Sequence, residues 1–137
     1  ANSIERCNAV TDQRLPRIII AFDEIAEALD KTGADKARKE HIARVEQCLA
    51  TISRLGRACG IHLIIGVQRP DVNAVPAQIK TNLSYRCCSR ADHVLSMIAL
   101  DNTSAADQIP KDSRGRFIDN EGQIFQAYYL KEEPTYA

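Results

Sequence analysis

Arg17-Ile18-Ile19-Ile20-Ala21-Phe22-Asp23-Glu24 is an unbroken apolar run that follows Pro16 and stops at two adjacent carboxylates. Apolar residues without alternation, rich in β-branched Ile, predict a strand buried on both faces inside a parallel sheet, since a strand with one wet face would alternate. The two acids then stand at the carboxyl end of that strand, the edge of an open α/β sheet at which ligands bind. An Asp-Glu pair there is placed for chemistry on a phosphate or a metal. It is the pattern of a Walker B segment, in which the Asp serves the Mg²⁺ shell of a nucleoside triphosphate and the Glu polarises the attacking water. The same residues also read as a helix start, with Asp23 as the cap and Glu24 in the first turn. The run alone leaves both readings open.

A second strand of the buried type, Ile61-His62-Leu63-Ile64-Ile65-Gly66-Val67, ends at Gln68-Arg69-Pro70. Between the two strands, Ile42, Val45, Leu49, Ile52, Leu55 and Cys59 recur at three and four residues and predict one apolar helix stripe, with Gly60 as its left-handed stop. Ile25, Ala26, Ala28 and Leu29 predict a shorter helix that Gly33 can end. The charged stretch 30–40 reads either as a solvated helix start or as a loop offering Lys31, Lys36, Arg38 and Lys39 to a phosphate backbone. Strand, helix and strand in this order make a parallel β-α-β unit with a right-handed crossover, which puts Gln68 at the same sheet edge as Asp23. Gln68 is then either a loop residue satisfying backbone groups or an amide that orients a water or senses a γ-phosphate. His62 is expected to be a satisfied core histidine.

Further along, Pro76 can open a short helix through Asn82, with Ile79 and Leu83 facing in. Residues 85–88 predict a third parallel strand, in which vicinal Cys87 and Cys88 point to opposite faces, favouring packing over redox pairing. Ser89 is the expected cap of a helix over 91–100 that packs Val94, Leu95, Met97 and Ile98; a turn-like stretch with a short helical piece follows. Gly115-Arg116-Phe117-Ile118, Asn120-Glu121-Gly122 and Gln123-Ile124-Phe125-Gln126-Ala127-Tyr128-Tyr129 predict strand, tight turn and strand, a C-terminal β-hairpin. Residues 1–14 read as a short helix or tail and 131–137 as a polar tail, which leaves 15–130 as the domain.

At 137 residues the chain is one domain at most, large enough for a real core. Lys plus Arg equals Asp plus Glu, 18 each, so any nucleic-acid contact must come from a local surface. Few aromatics and no Trp argue against a base-stacking platform. The five cysteines are odd in number and lack CxxC or Cys/His ligand spacing, which predicts reduced, core-filling thiols of a cytosolic protein. No stretch approaches the roughly 20 apolar residues of a membrane helix. No membrane contact by this chain and a cytoplasmic location are therefore expected, while a parent protein could be anchored on the cytoplasmic face.

The string Arg57-Ala58-Cys59-Gly60-Ile61-His62-Leu63-Ile64-Ile65-Gly66-Val67-Gln68-Arg69-Pro70, beside a correctly spaced Asp23-Glu24, resembles the FtsK/SpoIIIE family of DNA-translocating ATPases. The similarity continues through Ile79-Lys80-Thr81-Asn82-Leu83 and Ser89-Arg90-Ala91-Asp92 and spans residues 15–117. Residues 100–118 look more like the branch carried on conjugative elements than the chromosome-segregating branch. The resemblance implies an α/β architecture: part of a three-layer α/β/α RecA-like P-loop NTPase fold, with a mainly parallel sheet and the closing hairpin. Residues 15–130 would be the C-terminal portion of the ATPase domain. It further implies that Asp23 supports Mg²⁺ through water, that Glu24 activates water, and that Gln68 is the polar sensor, with Asp23 and Gln68 at the bound ATP. Arg69 and Lys80 become candidate contacts to DNA or a neighbouring subunit. The implied partners are double-stranded DNA, identical subunits in a hexameric ring, and a secretion or conjugation apparatus.

One departure matters. GxxxxGK[ST], the loop whose backbone N–H groups cradle the phosphates, is nowhere in the sequence. The chain is accordingly expected to be the C-terminal half of a motor domain, binding ATP feebly and turning it over negligibly by itself. The function expected of the parent is ATP-driven movement of double-stranded DNA in conjugative transfer. Two rivals stand beside it: a type VII secretion ATPase moving proteins, and a non-catalytic assembly or docking module, which has no physical need to retain both acids.

Overall fold

Residues 3–11, 14–68 and 75–129 are described by the structure, a computed structural model, in which the chain forms two units, residues 1–84 and 85–137. The first opens with α1 (Ile4–Val10), whose cap Ser3 accepts a hydrogen bond from the Arg6 N–H at 3.3 Å. There follow β1 (Ile18–Phe22), α2 (Ile25–Leu29), α3 (Lys36–Leu55), a 3-10 turn (Gly56–Cys59), β2 (Ile61–Ile65) and α4 (Ala77–Asn82). Asp35 caps α3 by accepting from the Arg38 N–H at 2.7 Å, so the charged stretch is the exposed start of that helix. Gly60, at φ 72°, makes the left-handed exit that its lack of a Cβ permits.

β1 and β2 pair in parallel, Ile18 opposite Ile61 and Phe22 opposite Ile65, as the strand-helix-strand order predicts. One face of the pair is covered: Phe22, Leu63 and Ile65 pack on Ile25, Leu29, Ile42, Leu49 and Ile79 of the helices. The other is bare, with Ile19 at 65% and Ile64 at 58% exposure beside exposed Ala21 and His62. The expected burial on both faces is therefore not met among the described residues, because the core of this unit gathers on one side of the strands. His62 is exposed for the same reason and is not a core histidine. The α3 stripe is also shorter than its spacing suggests, since Ile42 and Leu49 are buried while Leu55 and Cys59 are exposed.

Ile79 has no exposed surface and ties α4 to this core. Ile79→Ala is expected to cost about 2–5 kcal/mol through lost transfer energy and the cavity left behind. A lowered urea midpoint at unchanged slope would register it.

The second unit holds β3 (Cys87–Ser89), α5 (His93–Leu100), α6 (Ser104–Gln108), β4 (Arg116–Asp119) and β5 (Ile124–Gln126). β4 and β5 form the expected hairpin, on which Phe117 and Phe125 stack with centroids 5.6 Å apart. The third strand differs from expectation in place and direction, lying at 87–89 and running antiparallel to β4. Its partner is set by a reciprocal clasp in which the Arg86 N–H donates to Asn120 Oδ1 at 2.8 Å and the Asn120 N–H to the Arg86 carbonyl at 2.9 Å.

Asp119 builds the hairpin turn. Its buried carboxylate accepts from the Glu121 N–H at 3.0 Å and the Gln123 N–H at 2.8 Å. Asp119→Ala leaves those donors without their partner and should cost about 1–3 kcal/mol, whereas Asp119→Asn keeps an acceptor and should cost less. Comparing the two melting temperatures checks this; equal losses would remove the turn from the account.

α5 starts at His93 with Asp92 as its cap, not Ser89. Expected packing by Val94 and Met97 is not found; both are exposed, and the buried positions are Ser96 and Leu100. The Ser96 hydroxyl is tolerated inside because it donates to the Asn102 carbonyl at 2.7 Å and accepts from the Ala105 N–H at 3.1 Å. Leu100, Ala105, Ile109 and Ile118 form the small core around it. Arg90 closes the end of α6, donating to the carbonyls of Ala106 and Ile109.

All five cysteines are free, as expected, and half-buried Cys88 packs against the core of the second unit, but Cys48, Cys59 and Cys87 are exposed and Cys7 is half-buried. Partial burial of the sulfurs pushes the Cys87 and Cys88 thiols above their ordinary range, with the Asp119 carboxylate adding to it at Cys87. Neither is thereby primed as a thiolate. Among the described residues no helix is long and apolar enough to cross a membrane.

Candidate functional site

Parallel pairing places the exits of both strands at one end. Asp23 forms the bend after β1, and Glu24 is the cap of α2, at φ −137° and ψ 96°. The cap is therefore the second acid and not Asp23. Glu24 Oε1 accepts from the Ala26 N–H at 3.1 Å, and Oε2 accepts from the main-chain N–H of Gln68, beyond β2, at 2.8 Å. Main-chain bonds draw the two exits together: the Gly66 N–H donates to the Phe22 carbonyl at 2.7 Å and the Ile25 N–H to the Gly66 carbonyl at 3.2 Å. A Cβ on Gly66 would stand 2.4 Å from the Asp23 carbonyl oxygen, so only glycine permits this approach.

Asp23 is exposed and, among the described residues, its carboxylate has no hydrogen-bond or ion-pair partner. It is available to a ligand in a way that Glu24, with both oxygens engaged, is not. Gln68 is exposed at the same end as Asp23 and meets Glu24 through its backbone. Lys80 lies in the last turn of α4, half-buried and already engaged in polar interactions. Arg69 lies outside the described residues. Among the described residues no group of three or more His, Cys, Asp or Glu side chains could hold a metal ion, so Asp23 offers one carboxylate and no cage.

Sequence reasoning missed two features. The Glu24–Gln68 bond has no signature, because a main-chain donor carries no residue identity; the Gly66 between two apolar strand ends was the available hint. At the opposite end of the strands, Glu5, Arg17, Arg54, Arg57 and His62 line a recess of about 680 Å³. Arg17 pairs there with Glu5 at 2.9 Å, and its hydrogen bond holds the Glu5 carboxyl below the usual range.

A parallel strand pair with acids and an amide at its carboxyl end, joined through a crossover helix and followed by a small antiparallel sheet, is the architecture of part of a P-loop NTPase motor domain. No family model matches the chain. The DNA translocase FtsK of Pseudomonas syringae pv. tomato is 26% identical over 140 residues, covering 90% of this chain and 16% of that protein. The pCW3 conjugation coupling protein TcpA, solved as a monomer with ATPγS, is 40% identical at a TM-score of 0.87, covering 94% of this chain and 37% of that one. The cytoplasmic domain of the Thermomonospora curvata type VII secretion ATPase EccC matches at 24% identity and a TM-score of 0.70, over 99% of this chain and 15% of that one, a likeness of fold alone. The chain thus belongs with the FtsK/SpoIIIE family, as a segment of its motor domain, and bears out the resemblance its motifs carry. It spans only a minor part of each relative's length.

Proposed function

We propose that this chain is the Walker B and sensor portion of an ATP-driven motor that moves double-stranded DNA in conjugative transfer. The observation that carries the proposal is the likeness to the conjugation coupling protein, closer in identity and in TM-score than that to the secretion ATPase. Relatives named as DNA translocases support DNA as the cargo.

In this reading Asp23, exposed and unengaged, would hold the water shell of Mg²⁺ bound with ATP, and the metal would supply charge stabilisation at the phosphates. Glu24 takes the proton of the attacking water once its carboxylate is free to face it. Gln68 senses the γ-phosphate from the neighbouring strand exit. The phosphate loop comes from residues outside these 137, and Arg69 and Lys80 would be contacts to DNA or to the next subunit of a hexameric ring on the cytoplasmic side. The test is ATP hydrolysis by the intact motor with and without duplex DNA. Stimulation by duplex supports the reading; stimulation by a secreted protein and not by DNA transfers it to the secretion class, and no hydrolysis in either case leaves a docking module.

A further inference from the structure

We propose that the main-chain N–H of Gln68 is a positioning group for Glu24, holding its carboxylate at a resting station that must open before water is activated. This deepens, and rests on, the reading of Glu24 as the base.

The two bonds to Glu24 differ in kind. The bond from the Ala26 N–H is local, two residues along, and is what a capping side chain at a helix start provides. The bond from the Gln68 N–H crosses from one strand exit to the other and is the shorter, at 2.8 Å against 3.1 Å. Capping α2 does not need it. With each oxygen held by its own N–H donor, the carboxylate is fixed in one orientation and cannot turn to face a water without leaving one of the two.

The Gly66 clasp confines the movement that can open the bond. Gly66 is fixed to Phe22 and Ile25 by main-chain bonds, on either side of Glu24, and Gln68 is only two residues beyond. With the clasp kept, the segment past Gly66 is what can draw away from Glu24, lengthening the Glu24–Gln68 bond while the Ala26 cap stays intact. The base is freed without unwinding its helix, and its release is tied to the position of the segment that carries the sensor.

Two measurements test this. In this chain, the Gln68 amide should exchange with solvent at least tenfold more slowly than an unprotected amide. In Glu24→Asp, whose shorter side chain still caps, protection at Gln68 should be lost and that at Ala26 kept. An unprotected Gln68 amide in the unsubstituted chain overturns the geometry, as does protection unchanged in Glu24→Asp.

In the intact motor, replacing the Gln68 amide by an ester deletes the N–H and keeps the side chain. Turnover without cargo should rise several-fold at unchanged KM, and Glu24→Gln should abolish it in both backgrounds. Turnover unchanged or lowered by the ester, with Glu24→Gln still inactive, overturns the resting station while leaving the base assignment standing. Turnover surviving Glu24→Gln removes the base assignment itself, and the proposal with it.

Discussion

Glu24→Gln in the intact motor is expected to lower ATP turnover by about 10²–10⁴-fold, the usual contribution of a positioned general base, with nucleotide binding retained. The substitution is nearly isosteric and keeps one oxygen acceptor, so one of the two main-chain donors at Ala26 and Gln68 still finds a partner. What it removes is the second acceptor and the capacity to take a proton. Steady-state hydrolysis beside a nucleotide-binding isotherm separates the two effects. Hydrolysis close to the unsubstituted rate would leave Glu24 with a capping role only.

Gly66→Ala is the second large effect, and it acts on folding. The added Cβ would meet the Asp23 carbonyl oxygen at 2.4 Å and the Phe22 carbonyl oxygen at 3.2 Å, both of them backbone atoms that cannot swing aside. Overpacking of this kind costs about 3 kcal/mol, a large share of the roughly 5–15 kcal/mol that holds a domain folded. Gly33→Ala is the control: nothing lies within 4 Å of its added Cβ, and its φ of +65° leaves only backbone strain. Denaturation should show a much larger loss at Gly66 than at Gly33; comparable losses would mean that the strand exits are not clasped in solution.

Much of the fold was legible because the signals are local. Apolar runs marked β1 and β2, the three-and-four spacing marked α3, Gly60 marked its end, and Asn120-Glu121-Gly122 marked the hairpin. The crossover rule then placed Asp23, Glu24 and Gln68 at one sheet end without coordinates. What stayed hidden depends on partners distant in sequence. The direction of β3 is set by the Arg86–Asn120 clasp, and the bare face of β1 by which side the helices cover. Ser96 looks like a surface residue until its two bonding partners are in place. At the site, Asp is the better statistical cap. Yet the bend falls on Asp23 and gives the capping geometry to Glu24.

The parallel register has a kinetic consequence. β1 and β2 are separated in the chain by residues 23–60, the twenty of α3 among them, so their hydrogen bonds form only when a long loop is closed. During that interval the Ile-rich β1 segment waits without its partner strand, at the stage when open strands recruit other chains. Every residue of that loop fixed early, as the Asp35 cap favours at the start of α3, leaves less chain to be ordered when the strands meet.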